Sequence, residues 1–229
     1  MLQASAHREE GLVHVTADSV NLQGNLIIPR NARGIVVFAH GSGSSRFSSR
    51  NRYVAEELRH GGLGTLLLDL LTPSEEAIDA RNAQLRFNIE MLAQRLVGTI
   101  DWLAEQPDAG HLPIGLFGAS TGGGAALVAA AEVPERVGAV VSRGGRPDLA
   151  GDALPHVKAP TLLIVGGDDI PVIEMNREAL ARMSCTRELT IVPGASHLFE
   201  EAGKLEAVAK LAVDWFGKYL GQGPIPVHR

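Results

Sequence analysis

The stretch Leu112-Pro-Ile-Gly-Leu-Phe-Gly-Ala-Ser-Thr-Gly-Gly-Gly124 decides how the rest of the chain is read. Leu112 to Phe117 is a short apolar run, the pattern of a buried strand. Ala125 to Glu132 is an Ala-rich run stopped by Pro134, the pattern of a helix that packs closely on a sheet. Between them, Gly118-Ala-Ser-Thr-Gly122 matches G-x-S-x-G, a strained strand-to-helix turn that presents a serine. Glycines two residues before and two after Ser120 leave room where side chains would collide. The turn lifts the Ser120 hydroxyl to the carboxyl edge of the sheet. The following helix points its N-terminal N–H groups at the same place, where they favour developing negative charge. Two nucleotide-binding readings fail here. A P-loop needs Lys where Gly124 stands, and the glycines do not fall as G-x-G-x-x-G.

Working outward, short apolar runs alternate with longer segments of helical period, as in a mostly parallel sheet covered by helices on both faces. Leu12 to Thr16 and Leu22 to Ile28 read as an antiparallel hairpin around a turn at Ala17 to Ser19. Gly34 to His40 and Leu63 to Leu71 read as buried strands. The helix Asn51 to His60 lies between them, ended by Gly61-Gly62. Phe87 to Glu105 carries Ile89, Leu92, Leu96, Ile100 and Leu103 on one stripe and reads as a helix. Val137 to Ser142, Thr161 to Val165 and Glu188 to Val192 read as strands. Ile173 to Met183 and Lys204 to Leu220 read as helices. The expected architecture is one α/β domain over residues 1–229 with an eight-stranded sheet, no large cap and a frayed tail after Gly221. The segment Thr72 to Arg86 is polar and acidic, and it can drape over the site.

A serine hydroxyl is a poor nucleophile without an adjacent base. The chain supplies one in the expected order of serine, acid, histidine. Gly166-Gly-Asp168-Asp169 follows one buried strand, and Pro193-Gly-Ala-Ser-His197 follows the last. Both lie at carboxyl ends of strands, where open α/β sheets bind ligands. His197 is the candidate general base. Asp169 is favoured over Asp168 to orient it, because it stands three residues after Gly166 and two before Pro171. His40 is read as a brace for the glycine-rich loop Gly41-Ser-Gly-Ser-Ser45. The candidate oxyanion donors are the backbone N–H groups of Ser42 and Thr121, each worth roughly 3–4 kcal/mol. Arg143 and Arg146 follow a strand and are candidate anchors for an acidic substrate. The competing reading pairs them with Asp148 or Asp152.

Composition narrows the classes further. The 229 residues are 45% hydrophobic and 21% charged, with net charge −5 and no basic stripe, which argues against a nucleic-acid partner. Cys185 is the only cysteine, so no internal disulfide forms, in keeping with a reducing compartment. Met1 to Gly11 holds no apolar signal core, and no stretch approaches the ~20 apolar residues of a membrane span. The expectation is a cytoplasmic protein, monomer or homodimer, that needs neither metal nor cofactor.

With His40-Gly-Ser-Gly43, Gly118-Ala-Ser-Thr-Gly122, Gly166-Gly-Asp-Asp169 and Ser196-His197 together, the chain resembles the α/β-hydrolase family. Its compact size and N-terminal hairpin resemble the dienelactone hydrolase-like branch. Pro171 to Arg177 is also similar to general hydrolases of that branch. Dienelactone hydrolases use a cysteine nucleophile, whereas here the turn holds Ser120 and Cys185 lies between a helix and a strand. The resemblance therefore implies ester hydrolysis through an acyl-serine, with Ser120, His197 and Asp169 as the triad. Lactone or thioester hydrolysis and acyl transfer use the same residues, and a non-catalytic binding module on this scaffold is the reading from another class.

Overall fold

The computed structural model describes residues 11–17 and 19–221. The hairpin is β1 (Leu12–Ala17) and β2 (Val20–Ile27), paired antiparallel. Then follow β3 (Ile35–Ala39), α1 (Ser49–His60), β4 (Gly64–Leu68), α2 (Pro73–Asn82) and α3 (Ile89–Ala104). The second half holds β5 (Ile114–Ala119), α4 (Thr121–Glu132), β6 (Val137–Arg143), β7 (Thr161–Gly166), α5 (Ile170–Arg182), β8 (Arg187–Val192) and α6 (Lys204–Leu220). The strands form one eight-stranded sheet in the order β1-β2-β4-β3-β5-β6-β7-β8. β2 runs antiparallel to β4, and from β4 to β8 every pairing is parallel.

The order explains the sequence pattern. β3, β4, β5 and β7 are buried along their whole length, as strands covered on both faces must be. One apolar layer packs Leu92, Leu96 and Ile100 of α3 and Ala125 to Ala130 of α4 onto one face of the sheet. The other packs Val54 and Leu58 of α1 and Ala212, Trp215 and Phe216 of α6 onto the opposite face. Within β6, Val140 belongs to the first layer and Val141 to the second, as alternation along a strand requires.

The anticipated strands and longer helices are present with ends shifted by a few residues, as end fraying commonly produces. Two elements depart from the reading. The Thr72 to Arg86 segment contains α2, started by a capping box in which Thr72 accepts from the Glu75 N–H and Glu75 reaches back to the Thr72 N–H. The T-x-x-E spacing and Pro73 in the first helical turn were legible signals for it. Two short 3₁₀ turns, broken by a kink at Gly151 (φ 49°), also occupy Pro147–His156, a stretch read as loop. The tail expected to fray lies beyond the described residues. Among those residues no helix is long and apolar enough to cross a membrane.

Candidate active site

Ser120 joins β5 to α4 with φ 51° and ψ −123°, a region a non-glycine residue enters only under constraint. The constraint is close packing. A Cβ on Gly118 would collide with Gly122 O and Gly123 Cα, and one on Gly122 would collide with the Ala39 carbonyl. Backbone bonds lock the turn: the Ser120 N–H donates to Arg143 O at 3.2 Å, and its carbonyl accepts from Gly123 N–H and Arg146 N–H at 2.9 and 3.0 Å.

Asp169 and His197 come together across the ends of β7 and β8. His197 Nδ1 lies 2.6 Å from Asp169 Oδ2, a charge-assisted distance. Asp168 is exposed, and its side chain does not reach the histidine. The loop Gly144-Gly145 connects this pair to the serine turn. A Cβ on Gly144 would sit 3.1 Å from His197 O and 3.5 Å from ring atoms Cε1 and Nδ1, while the neighbouring Arg143 O holds the Ser120 N–H. The Ser120 hydroxyl and His197 Nε2 make no hydrogen bond among the described residues. Nucleophile–base bonds in free enzymes are often long and tighten with substrate.

Sequence reasoning missed three supports of this site. Buried Asn176 donates to Gly145 O at 3.0 Å and to Val172 O at 2.8 Å, tying α5 to the loop against His197. Glu201 accepts the Ser196 N–H at 3.1 Å, and hydrogen bonding from Ser196, its side chain foremost, together with backbone N–H groups, holds its carboxyl below the ordinary range. Phe199, two residues past His197, is fully buried with φ 56° and anchors the loop in the core. A polar side chain near a motif gives little signal for such roles, because the spacing needed depends on the fold.

The two expected oxyanion donors are linked to each other. The Ser42 N–H donates to Thr121 Oγ1 at 2.9 Å, so that donor is occupied by the threonine side chain. The Thr121 N–H, first in α4, has no partner inside the helix. His40 braces the loop as read. Its Nδ1 pairs with Gly41 O at 2.9 Å, and its Nε2 accepts the Leu70 N–H at 3.1 Å. Burial holds its pKa below the ordinary histidine value.

The arginine expectation divides. Arg146 is bound in bidentate fashion to Asp148 at 2.8 and 2.7 Å, which removes it as a free anchor. Asp152 is bound to Arg182. Arg143 pairs with neither acid and is 7% exposed. Burial, with Arg50 nearby, pushes its pKa down to about 10.

A cavity of about 270 Å³ opens beside the serine turn, bounded there by Ser42 and Thr121. Leu70, Leu71 and Leu92 make its apolar wall, and Glu76, Asp79 and Arg86 line it from α2 and the following turn. Asp79 accepts from the Leu85 and Arg86 N–H groups and from Arg86 Nε, closing the end of that segment. Thr72 to Arg86 thus walls the cavity.

An elbow serine, a histidine–aspartate pair at neighbouring strand ends and an eight-stranded sheet in this order define an α/β hydrolase. Comparison with known proteins narrows this. Residues 22–220 match the model of the dienelactone hydrolase family, and the chain belongs to that family. A crystal structure of dienelactone hydrolase from Anabaena variabilis superposes with a TM-score of 0.90 and is 65% identical, over 92% of this chain and 98% of that one. Est1E from Butyrivibrio proteoclasticus shares the fold at a TM-score of 0.77 and 15% identity, over 93% and 100%. Proteins from two strains of Mycobacterium tuberculosis that carry the provisional name phosphoribosyl transferase are each 62% identical over 213 residues. The match covers 93% of this chain and 47% of those proteins, so the chain spans about half the length of these curated relatives.

Proposed function

We propose that the chain is a serine hydrolase that cleaves small or medium carboxylic esters through an acyl-serine intermediate. The observation that carries this reading is the 2.6 Å His197–Asp169 bond beside a serine strained to φ 51°. In the proposed reaction, the Ser120 hydroxyl oxygen attacks the acyl carbon and its proton passes to His197 Nε2. Asp169 holds the opposite ring N–H, fixing the tautomer and stabilising the imidazolium. The Thr121 N–H donates to the oxyanion of the tetrahedral intermediate. Collapse breaks the C–O bond, His197 returns the proton to the departing alcohol, and water releases the acid by the same steps. The cavity beside Thr121 lies just below the ~300–1,000 Å³ usual for drug-sized ligands, which supports a small or medium acyl group.

Lactone hydrolysis is the second reading, favoured by the name of the 65%-identical dienelactone hydrolase. A lactone is an internal ester, so the same residues serve. A kinetic panel of p-nitrophenyl acetate, longer acyl esters and five- and six-membered lactones decides between them. Open-chain esters should give the higher kcat/KM. Preference for lactones would move the assignment to the second reading, and no turnover of any member would sink both.

A further inference from the structure

We propose that Arg143 and Arg50 form a binding site for a compact oxyanion, phosphate or carboxylate, beneath the His197 loop. Arg143 ends β6, opposite Ala119 of β5. A Cβ placed on Gly123 or Gly145 would strike the Ser142 hydroxyl, so Ser142 faces the α4 side of the sheet. By alternation Arg143 faces the side covered by α1 and α6. Gly144, the next residue, lies against His197, and Arg50, in the first turn of α1, binds Glu200 of the same loop, so both cations border that loop, and the charge of Arg50 bears on Arg143.

Among the described residues Arg143 has no acidic partner, and Arg50 is met only in part. Arg143 Nε and Nη1 are buried without an acceptor, as is Arg50 Nε. That leaves three nitrogens of two like-charged guanidinium groups, carrying four N–H donors, without acceptors. The two acids that follow it in the chain are committed elsewhere: Asp148 to Arg146, and Asp152 to Arg182. Glu200 binds only the outer end of Arg50, at 2.9 Å, and is largely exposed. The first turn of α1 carries no acidic residue, so its positive end adds to the field. A buried cation without a counter-charge is costly, whereas planar guanidinium forks suit an oxyanion. Arg143 Nη2 is not among the buried atoms, which leaves a solvent route to the pair.

The pair is separate from the apolar cavity, whose lining includes neither arginine. It is coupled to the catalytic loop, because Glu200 stands three residues after His197 and binds Arg50. An anion between the forks would hold Arg50, and through Glu200 the loop that carries His197. The inference depends on unpartnered donors and stands apart from the ester reading.

Thermal unfolding of the full chain at constant ionic strength tests it, with sodium phosphate in one arm and sodium acetate in the other replacing sodium chloride. Wild type should gain roughly 5 °C in Tm at saturation in at least one arm. The arm with the lower half-saturation concentration identifies the preferred oxyanion. Arg143→Met should lose the response and melt in chloride alone at or above the wild-type temperature, since it removes an unpaired buried cation. Arg50→Gln should raise the half-saturation concentration at least tenfold, and Arg146→Ala should leave the response intact. If Arg143→Met does not fold, Arg143→Lys, which keeps the charge without the fork, should weaken the response. A wild-type Tm that follows chloride in both arms, or an equal rise in Arg143→Met or in Arg143→Lys, overturns the proposal.

Discussion

Two charged pairs lie at the carboxyl edge of this sheet, and they differ in one respect. His197 and Asp169 meet at 2.6 Å and complete each other, whereas Arg143 and Arg50, both bordering the His197 loop, keep buried nitrogens that nothing accepts, with Glu200 on the outer end of Arg50 alone. A third case calibrates the contrast. Arg95 is also buried, but Glu75 binds it at 2.8 Å. Charge burial alone therefore does not mark a site, because the fold supplies counter-charges where it needs rigidity. Arg143 differs from Arg95 in having no carboxylate at all, which is why the proposed anion is placed there.

The largest expected effect breaks the first pair's link to the serine. Ser120→Ala and His197→Ala should each lower kcat for p-nitrophenyl acetate by about 10⁶-fold, as when either is removed from a triad that works as a unit. Asp169→Asn should lower it by about 10⁴-fold through the wrong histidine tautomer. Asp168→Asn should stay within about twofold, because the exposed Asp168 makes no contact with the ring. Equal losses in the two aspartate variants would refute the assignment of Asp169.

Glu75→Gln tests the third pair. Removing one partner of a buried ion pair costs about 3 kcal/mol, and Arg95 already has Nε and Nη1 without acceptors. Denaturant unfolding should show that loss, in contrast to Arg143→Met, which removes a charge that has no partner.

His40 gives a pH dependence whose sign follows from burial. Its folded pKa lies below the unfolded value, so the unfolded chain binds more protons in the window beneath about pH 6.5. The stability from neutral His40 is present above that pH and is lost as pH falls through the folded pKa, because protonated Nε2 cannot accept the Leu70 N–H. Denaturant midpoints should therefore fall from pH 7 to pH 5 more steeply in wild type than in His40→Asn. The smallest effect belongs to Arg146→Ala. Its pair with Asp148 is about one-third exposed, and its loss should cost less than about 1 kcal/mol.

The sheet and the triad candidates were legible because each rests on local rules. Buried parallel strands read as unbroken apolar runs, and G-x-S-x-G, G-x-x-D and the last-strand histidine hold their spacing within single loops. The chain did not announce what depends on distant segments. Ser42 and Thr121 are 79 residues apart, and no spacing in the sequence announces the 2.9 Å bond between the Ser42 N–H and Thr121 Oγ1. Arg143 and Arg146 are three residues apart with one sequence context, yet strand alternation buries the first and a neighbouring Asp148 captures the second. α2 was readable from its capping box and was hidden by its polar composition.

The most direct test of the central claim is labelling with a fluorophosphonate probe, followed by mass mapping of the modified peptide. One adduct is expected, on Ser120, absent in Ser120→Ala and formed far more slowly in His197→Ala. An adduct on another residue, or ester turnover by a protein in which Ser120 stays unlabelled, would contradict it.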